Sequence, residues 1–132
     1  MDWENLPSTN TPLNATNLQK ITDSGSNANG NYIKFQDGTM VQWNDLEVDD
    51  QAIDGVYGSL YQGTRSITLP QAFKNEHYMA LCTQFLWGTG ASWGSVVQRN
   101  TKSTFTIRGY DIASRASGTR TFISWFAIGK WK

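Results

Sequence analysis

The chain has 132 residues, enough for one domain around one core and too few for two independent ones. Charged residues make up 17% and aromatics 13%, with twelve glycines and three prolines. Disordered chains are charged and poor in aromatics, and coiled coils are biased toward Ala, Glu, Lys, Leu and Arg, so both classes are excluded. No run approaches the roughly 18–20 continuous apolar residues of a membrane span. The start, Met1-Asp2-Trp3-Glu4, is acidic and carries no apolar stretch, so neither membrane insertion nor a signal peptide is expected.

The net charge of zero conceals a division. Residues 1–54 hold nine acids and two bases, a net −7, and residues 55–132 hold nine bases and two acids, a net +7. Such a division either neutralises itself within the fold or across subunits, or serves as a docking or anion-binding surface.

Along the chain, Asn, Ser, Thr and Pro dominate residues 7–11, which read as extended. Asn14 is a fair N-cap, and Leu18 and Ile21 lie three apart, which predicts a short helix running to Thr22. A helix this short needs a partner, either the rest of the domain or copies of itself. Residues 23–31 (DSGSNANGN) read as a turn-rich linker. The period then changes to two. Tyr32 to Phe35 and Thr39 to Trp43 flank Asp37-Gly38, a strong hairpin signal. The acidic stretch from Asn44 to Gly55 shows no clear period. Strands follow from Tyr57 to Leu69, from Met79 to Trp87, from Trp93 to Gln98 and around Phe105 and Ile107. Met79, Leu81, Thr83, Phe85 and Trp87 share one predicted face. Residues 111–118 form a polar loop, and Thr119 to Trp131 closes the chain.

About seven strands at short intervals predict an all-β fold, an antiparallel β-sandwich preceded by the short N-terminal helix. The expected organisation is an N-terminal segment, helix and linker over residues 1–30 and a β-domain over residues 31–132. The last strand is apolar on both faces, with Ile123, Trp125 and Ala127 on one and Phe122, Phe126 and Ile128 on the other. A strand of a small antiparallel domain normally wets one face, so something covers the second: other parts of the domain or a neighbouring subunit.

Few residues offer catalysis. His77 is the one histidine and Cys82 the one cysteine, which leaves no zinc ligand set, no disulfide and no thiol–imidazole pair on a shared face. Asp45 to Val56 departs from a calcium loop at its sixth and twelfth positions, where Asp50 and Val56 stand for Gly and Glu. No phosphate loop or G-x-S-x-G elbow is present. No metal and no cofactor are expected. Glu76 and Asp111 are the only acids of the basic part, a thin basis for a glycosidase pair. What remains is aromatic and basic surface. Trp87 and Trp93 flank a Gly-rich loop; Arg108 and Tyr110 lead into a loop holding Arg115 and followed by Arg120. Rings of this kind stack on sugars, and guanidinium groups bind phosphate or carboxylate oxygens. A nucleic-acid partner is not expected, since the net charge is zero and no nucleic-acid motif occurs.

Several segments carry a family resemblance. Trp3 to Ile21 (WENLPSTNTPLNATNLQKI) resembles a segment of tail and baseplate proteins from phages and prophages of Gram-positive bacteria. Asn27 to Trp43 (NANGNYIKFQDGTMVQW) resembles the opening of the gp53-like C-terminal domain of phage tail fibres. Residues 68–73 (TLPQAF) and 124–129 (SWFAIG) resemble two further pieces of it. That family often has Gly after the "QW", where this chain has Asn44 and an acidic insert, so a different local shape is expected there.

The resemblance implies a β-sandwich related to H-type lectins, a homotrimer at a fibre tip, and binding to bacterial surface glycans. The expected protein is therefore a non-enzymatic receptor-binding protein of a phage tail fibre or baseplate, made in the cytoplasm and carried in the virion. Its partners would be cell-wall polysaccharide or teichoic acid and other tail or baseplate proteins. Trp87, Trp93, Arg108, Tyr110, Arg115 and Arg120 are the candidate ligand-binding residues, and Leu18, Ile21, Trp125, Phe126 and Ile128 the candidate trimer contacts. The alternatives are a structural trimerisation cap without its own receptor site and, third, a wall-glycan depolymerase.

Overall fold

A computed structural model describes residues 20–132. The expected extended segment, Leu18 and most of the expected helix lie outside the described residues.

Nine strands form two antiparallel sheets among the described residues. They are β1 (Ile21–Asn27), β2 (Gly30–Phe35), β3 (Thr39–Val48), β4 (Gly55–Tyr57), β5 (Leu60–Thr68), β6 (Met79–Trp87), β7 (Trp93–Thr101), β8 (Thr104–Asp111) and β9 (Thr121–Lys130). The first sheet has the order β1-β2-β3-β9-β6 and the second β4-β5-β8-β7. The expected all-β sandwich is present, with two more strands than the roughly seven predicted.

The first difference concerns residues 21–31. Ile21 and Thr22 begin a strand rather than end a helix, and the polar residues after them pair with β2 instead of forming a linker. The first sheet therefore starts ten residues before the expected boundary at residue 31. A strand of Ser, Gly and Asn is held by its backbone ladder, since every one of its side chains is exposed. The Tyr32 ring packs close over Gly25, with Tyr32 Oη 3.0 Å from where a Cβ would sit, so a larger residue there would push the ring aside. The Asp37-Gly38 hairpin forms as expected, with Gly38 at φ 92°.

The second difference is the acidic stretch. β3 continues through Asn44 to Val48, paired residue by residue with β9. No side-chain period is visible in the sequence because the inward positions Asn44, Leu46 and Val48 mix polar and apolar types. The two charge halves partly meet inside the domain: Arg120 Nε lies 2.6 Å from Glu47 Oε1, and Arg65 Nη1 lies 2.9 Å from Asp50 Oδ1.

The third difference is in β6. Its pairing with β9 slips between Cys82 and Gln84, a β-bulge. A bulge exchanges the faces, so Met79 and Leu81 point outward at 61% and 50% exposure while Phe85 is buried. The five residues predicted on one face are thereby divided between two.

The core lies between the sheets and is built of Met40, Ile53, Ile67, Phe73, Tyr78, Phe85, Phe105, Ile107, Ile123, Trp125 and their neighbours. Phe105 meets the Trp125 ring edge-on, with centroids 5.4 Å apart. Gly109 is glycine because Phe85 crosses it, leaving no room for a Cβ.

The last strand resolves its double apolarity in an instructive way. Thr121, Ile123, Trp125 and Ala127 are buried against the second sheet, and Phe122, Phe126 and Ile128 are only half-buried on the outer face. Trp125 therefore belongs to the domain's own core and is withdrawn from the expected trimer contacts. On the outer face, two apolar rows cross the sheet. Ile33, Val41, Ile128 and Met79 are successive cross-strand partners, as are Trp43, Phe126 and Leu81. Ile21, paired with Phe35, is exposed at the edge of this sheet.

Candidate functional site: an aromatic face with an unpaired arginine

The second sheet has a contrasting outer face. In β8 the odd positions Phe105, Ile107, Gly109 and Asp111 are buried, so Thr104, Thr106, Arg108 and Tyr110 face outward. Trp93 of β7 and Gln62 of β5 flank Tyr110 as its cross-strand partners; Ser95 and Thr64 flank Arg108. The short β4–β5 hairpin adds Tyr57. The Tyr110 ring sits between the other two, its centroid 5.8 Å from Tyr57 and 6.0 Å from Trp93. Tyr57 and Trp93 remain 50% and 45% exposed, so their faces are open to a ligand. The Arg108 guanidinium carbon stands 5.1 Å from the Tyr57 centroid, a cation–π contact.

Arg108 differs from the other arginines. Arg65, Arg115 and Arg120 have carboxylate partners, and Arg99 donates to the Tyr78 carbonyl oxygen. Among the described residues Arg108 has no ion pair, and its buried Nε has no acceptor; the buried Oε1 of neighbouring Gln62 likewise lacks a donor. A groove of about 350 Å³ lined by Thr83, Gln84, Leu86, Ser92 and Gly94 runs beside Trp93.

Asp111 holds this face in place from beneath. It is fully buried and accepts from Ser92 Oγ at 2.5 Å, the Ala113 N–H at 2.8 Å and Arg115 Nε at 3.0 Å. Ser92 immediately precedes Trp93, and Arg115 pairs with Ile53 through an isolated bridge, so one carboxylate ties two loops to the end of β8. Burial alone would raise the Asp111 carboxyl, but the hydrogen bonds from Ser92, Ala113 and Arg115 and the guanidinium charge outweigh it and hold it below the usual carboxylate range. The ionised form is the native one. Its stabilisation is present above the ordinary carboxylate value and is lost as pH falls through the lowered native value. Asp111→Ala is expected to cost about 2 kcal/mol at neutral pH. In urea unfolding, the gap between variant and parent should narrow as pH falls below the ordinary carboxylate range.

Three of the six expected ligand-binding residues, Trp93, Arg108 and Tyr110, come together here, and three do not. Trp87 packs inward against the core and donates from Nε1 to the Ala116 carbonyl, with Arg115 stacked 5.1 Å over its ring. Arg120 lies over Phe122 on the first sheet, paired with Glu47. Tyr57, which completes the cluster, was not singled out in the sequence. Its one signal was the Gly58-Ser59 turn, which brings β4 back beside β5. Burial pushes the Cys82 thiol up to about 11, and its Sγ donates to the Gln84 carbonyl, which disfavours the thiolate a nucleophile needs.

Comparison with known proteins agrees with this architecture. Residues 34–130 match the family described as tail fiber protein gp53-like, C-terminal. Two solved structures are similar in fold. One is a P. aeruginosa R1 pyocin fiber comprising C-terminal residues 323–701, with a TM-score of 0.50 and 21% identity over 81% of this chain. The other is an N-truncated R1-type pyocin tail fiber, with a TM-score of 0.52 and 20% identity, again over 81% of this chain and over 84% of the fiber fragment. This chain spans 28% of the length of the longer fiber. No curated protein matches the chain. The matched residues take in every strand from the end of β2 to the end of β9, and the chain belongs to the gp53-like C-terminal family of tail fibre proteins.

Proposed function

We propose that this tail fibre domain is a non-catalytic receptor-binding head that adheres to bacterial surface glycan through the outer face of its second sheet. The observation that carries the reading is the cluster of Tyr57, Tyr110 and Trp93 around Arg108. Exposed rings on a rigid sheet present flat apolar faces to sugars at little ordering cost, and the side chains between them offer hydrogen bonds. The non-catalytic part is supported by Asp111, the acid a depolymerase would most simply recruit. A glycosidic general acid needs a raised pKa, whereas Asp111 is committed to three hydrogen bonds and held low.

The assembly we propose is a homotrimer joined through the outer face of the first sheet, with Phe126 and Ile128 as contacts. Two cross-strand rows of apolar side chains on one sheet make a contiguous apolar surface, the kind that marks an interface. Three copies of a weak site on one rigid tip then act together, and avidity replaces a tight single site.

The test is adsorption of the labelled protein to a panel of bacterial strains. Binding to susceptible strains should vanish when surface polysaccharide is stripped. Tyr110→Ala should weaken binding per site by roughly tenfold. Adsorption unchanged by stripping would overturn the glycan reading. A folded trimer that adsorbs to no strain would favour a structural cap instead.

A further inference from the structure

We infer that the ligand of this face is an acidic saccharide, whose anionic group is held by Arg108 while an adjoining sugar ring stacks on Tyr110 and Trp93. The inference rests on the receptor reading above and narrows it to one substrate class. Arg108 is the only charged side chain on the outward positions of β4, β5, β7 and β8; the remaining outward side chains there are uncharged. Its guanidinium is held against the Tyr57 face, so it is pre-positioned rather than free to sweep through solvent. No acid among the described residues neutralises it, and its Nε–H is shielded from water without an acceptor.

A guanidinium with no ion pair of its own among the described residues can take an incoming anion on its terminal nitrogens. A planar guanidinium matches two oxygens of a carboxylate or phosphate at once. Beside it, the Thr64 and Ser95 side chains flank the same point and offer hydroxyls to a sugar. A neutral sugar would stack on the rings equally well but would leave the guanidinium without its counter-charge. Charge and stacking together therefore select a polymer bearing carboxylate or phosphate on or next to the sugar ring.

The test compares three probes with the purified full chain: a phosphate-bridged gluco-oligosaccharide, an oligogalacturonate and a neutral gluco-oligosaccharide of matched length. At least one acidic probe should bind ten times or more tighter than the neutral one, with the advantage shrinking as salt rises. The phosphate-bridged and galacturonate arms tell phosphate from carboxylate. Arg108→Gln should abolish the preference for acidic over neutral probes with the β-sheet circular dichroism retained, and Arg108→Lys should keep part of it. Equal binding of all three probes, or an acid preference that survives Arg108→Gln, overturns the inference. So does failure of both acidic probes with protein that still adsorbs to cells. The receptor reading fails separately, if Tyr110→Ala leaves adsorption to cells intact.

Discussion

Phe126→Asp should leave the domain folded and take its assembly apart. Phe126 sits on β9 between Trp43 and Leu81, on the outer face of the first sheet, and is only half-buried within its own domain. In the separated domain the new carboxylate points into water, and the neighbouring polar row of Asp45, Ser124 and Gln84 shows that this face tolerates such groups. In a trimer closed through that face, the same carboxylate is forced out of water without a partner. That costs about 3 kcal/mol or more at each contact, which is roughly a hundredfold in association. Light scattering should show a trimer for the parent and a monomer for the variant, with matching β-sheet circular dichroism. A parent that runs as a monomer, or a variant that remains trimeric, would sink the proposed interface.

The neighbouring position should behave in the opposite way. Trp125→Ala should destabilise the domain itself by about 3–5 kcal/mol, since it empties the space of a large buried ring. Trp125 is 2% exposed and meets Phe105 edge-on at the centre of the sandwich. For a domain of this size the loss is a large share of the whole stability, so much of the variant should be unfolded or insoluble at 37 °C. Trp125→Phe is the informative control. The indole Nε1 has no hydrogen-bond partner among the described residues, so replacing it sacrifices volume but no bond. A cost of about 1–2 kcal/mol is expected. Denaturant unfolding of the two variants measures both figures. A Trp125→Ala protein as stable as the parent would mean that the core is not where the structure puts it.

The pair Trp125 and Phe126 also marks the limit of what the pattern along the chain reveals. Alternation showed that both faces of the last strand were apolar, and it separated Trp125 from Phe126. It carried no information on which face met the second sheet, because both sets are equally hydrophobic. In β8 the inward pair Phe105 and Ile107 was legible, because Thr104, Thr106 and Arg108 oppose them clearly. In β6 the same logic failed at Thr83, where one extra residue exchanged the faces and sent Met79 and Leu81 outward. The early strand β1 was illegible for another reason. Ser, Gly and Asn have little strand preference of their own, and the strand is made by its backbone pairing with β2.

The candidate site divides in the same manner. Residue types pointed to aromatic and basic surface in the last half of the chain, and the structure places Trp93, Arg108 and Tyr110 together on one outer face. Trp87, Arg115 and Arg120 were of the same types but were engaged elsewhere, by a carbonyl, a buried carboxylate and Glu47 respectively. The partners of Trp87 and Arg120 lie 29 and 73 residues away and are invisible to local reading, whereas Asp111 is four residues from Arg115 but owes its burial to the tertiary fold.

By itself, then, the sequence determined the all-β class, the Asp37-Gly38 hairpin, the zero charge assembled from two opposed halves and the markers of the family. These are local properties, dictated by turn chemistry, by two-residue periodicity and by composition. The tertiary structure alone decided which apolar face of β9 is core and which faces outward, where β6 bulges, and that Tyr57 joins Tyr110 and Trp93 around Arg108, whose Nε has no acceptor among the described residues. Those outcomes depend on register between strands distant in the chain. A shift of one residue in that register reverses every side chain, so no stretch read in isolation contains them.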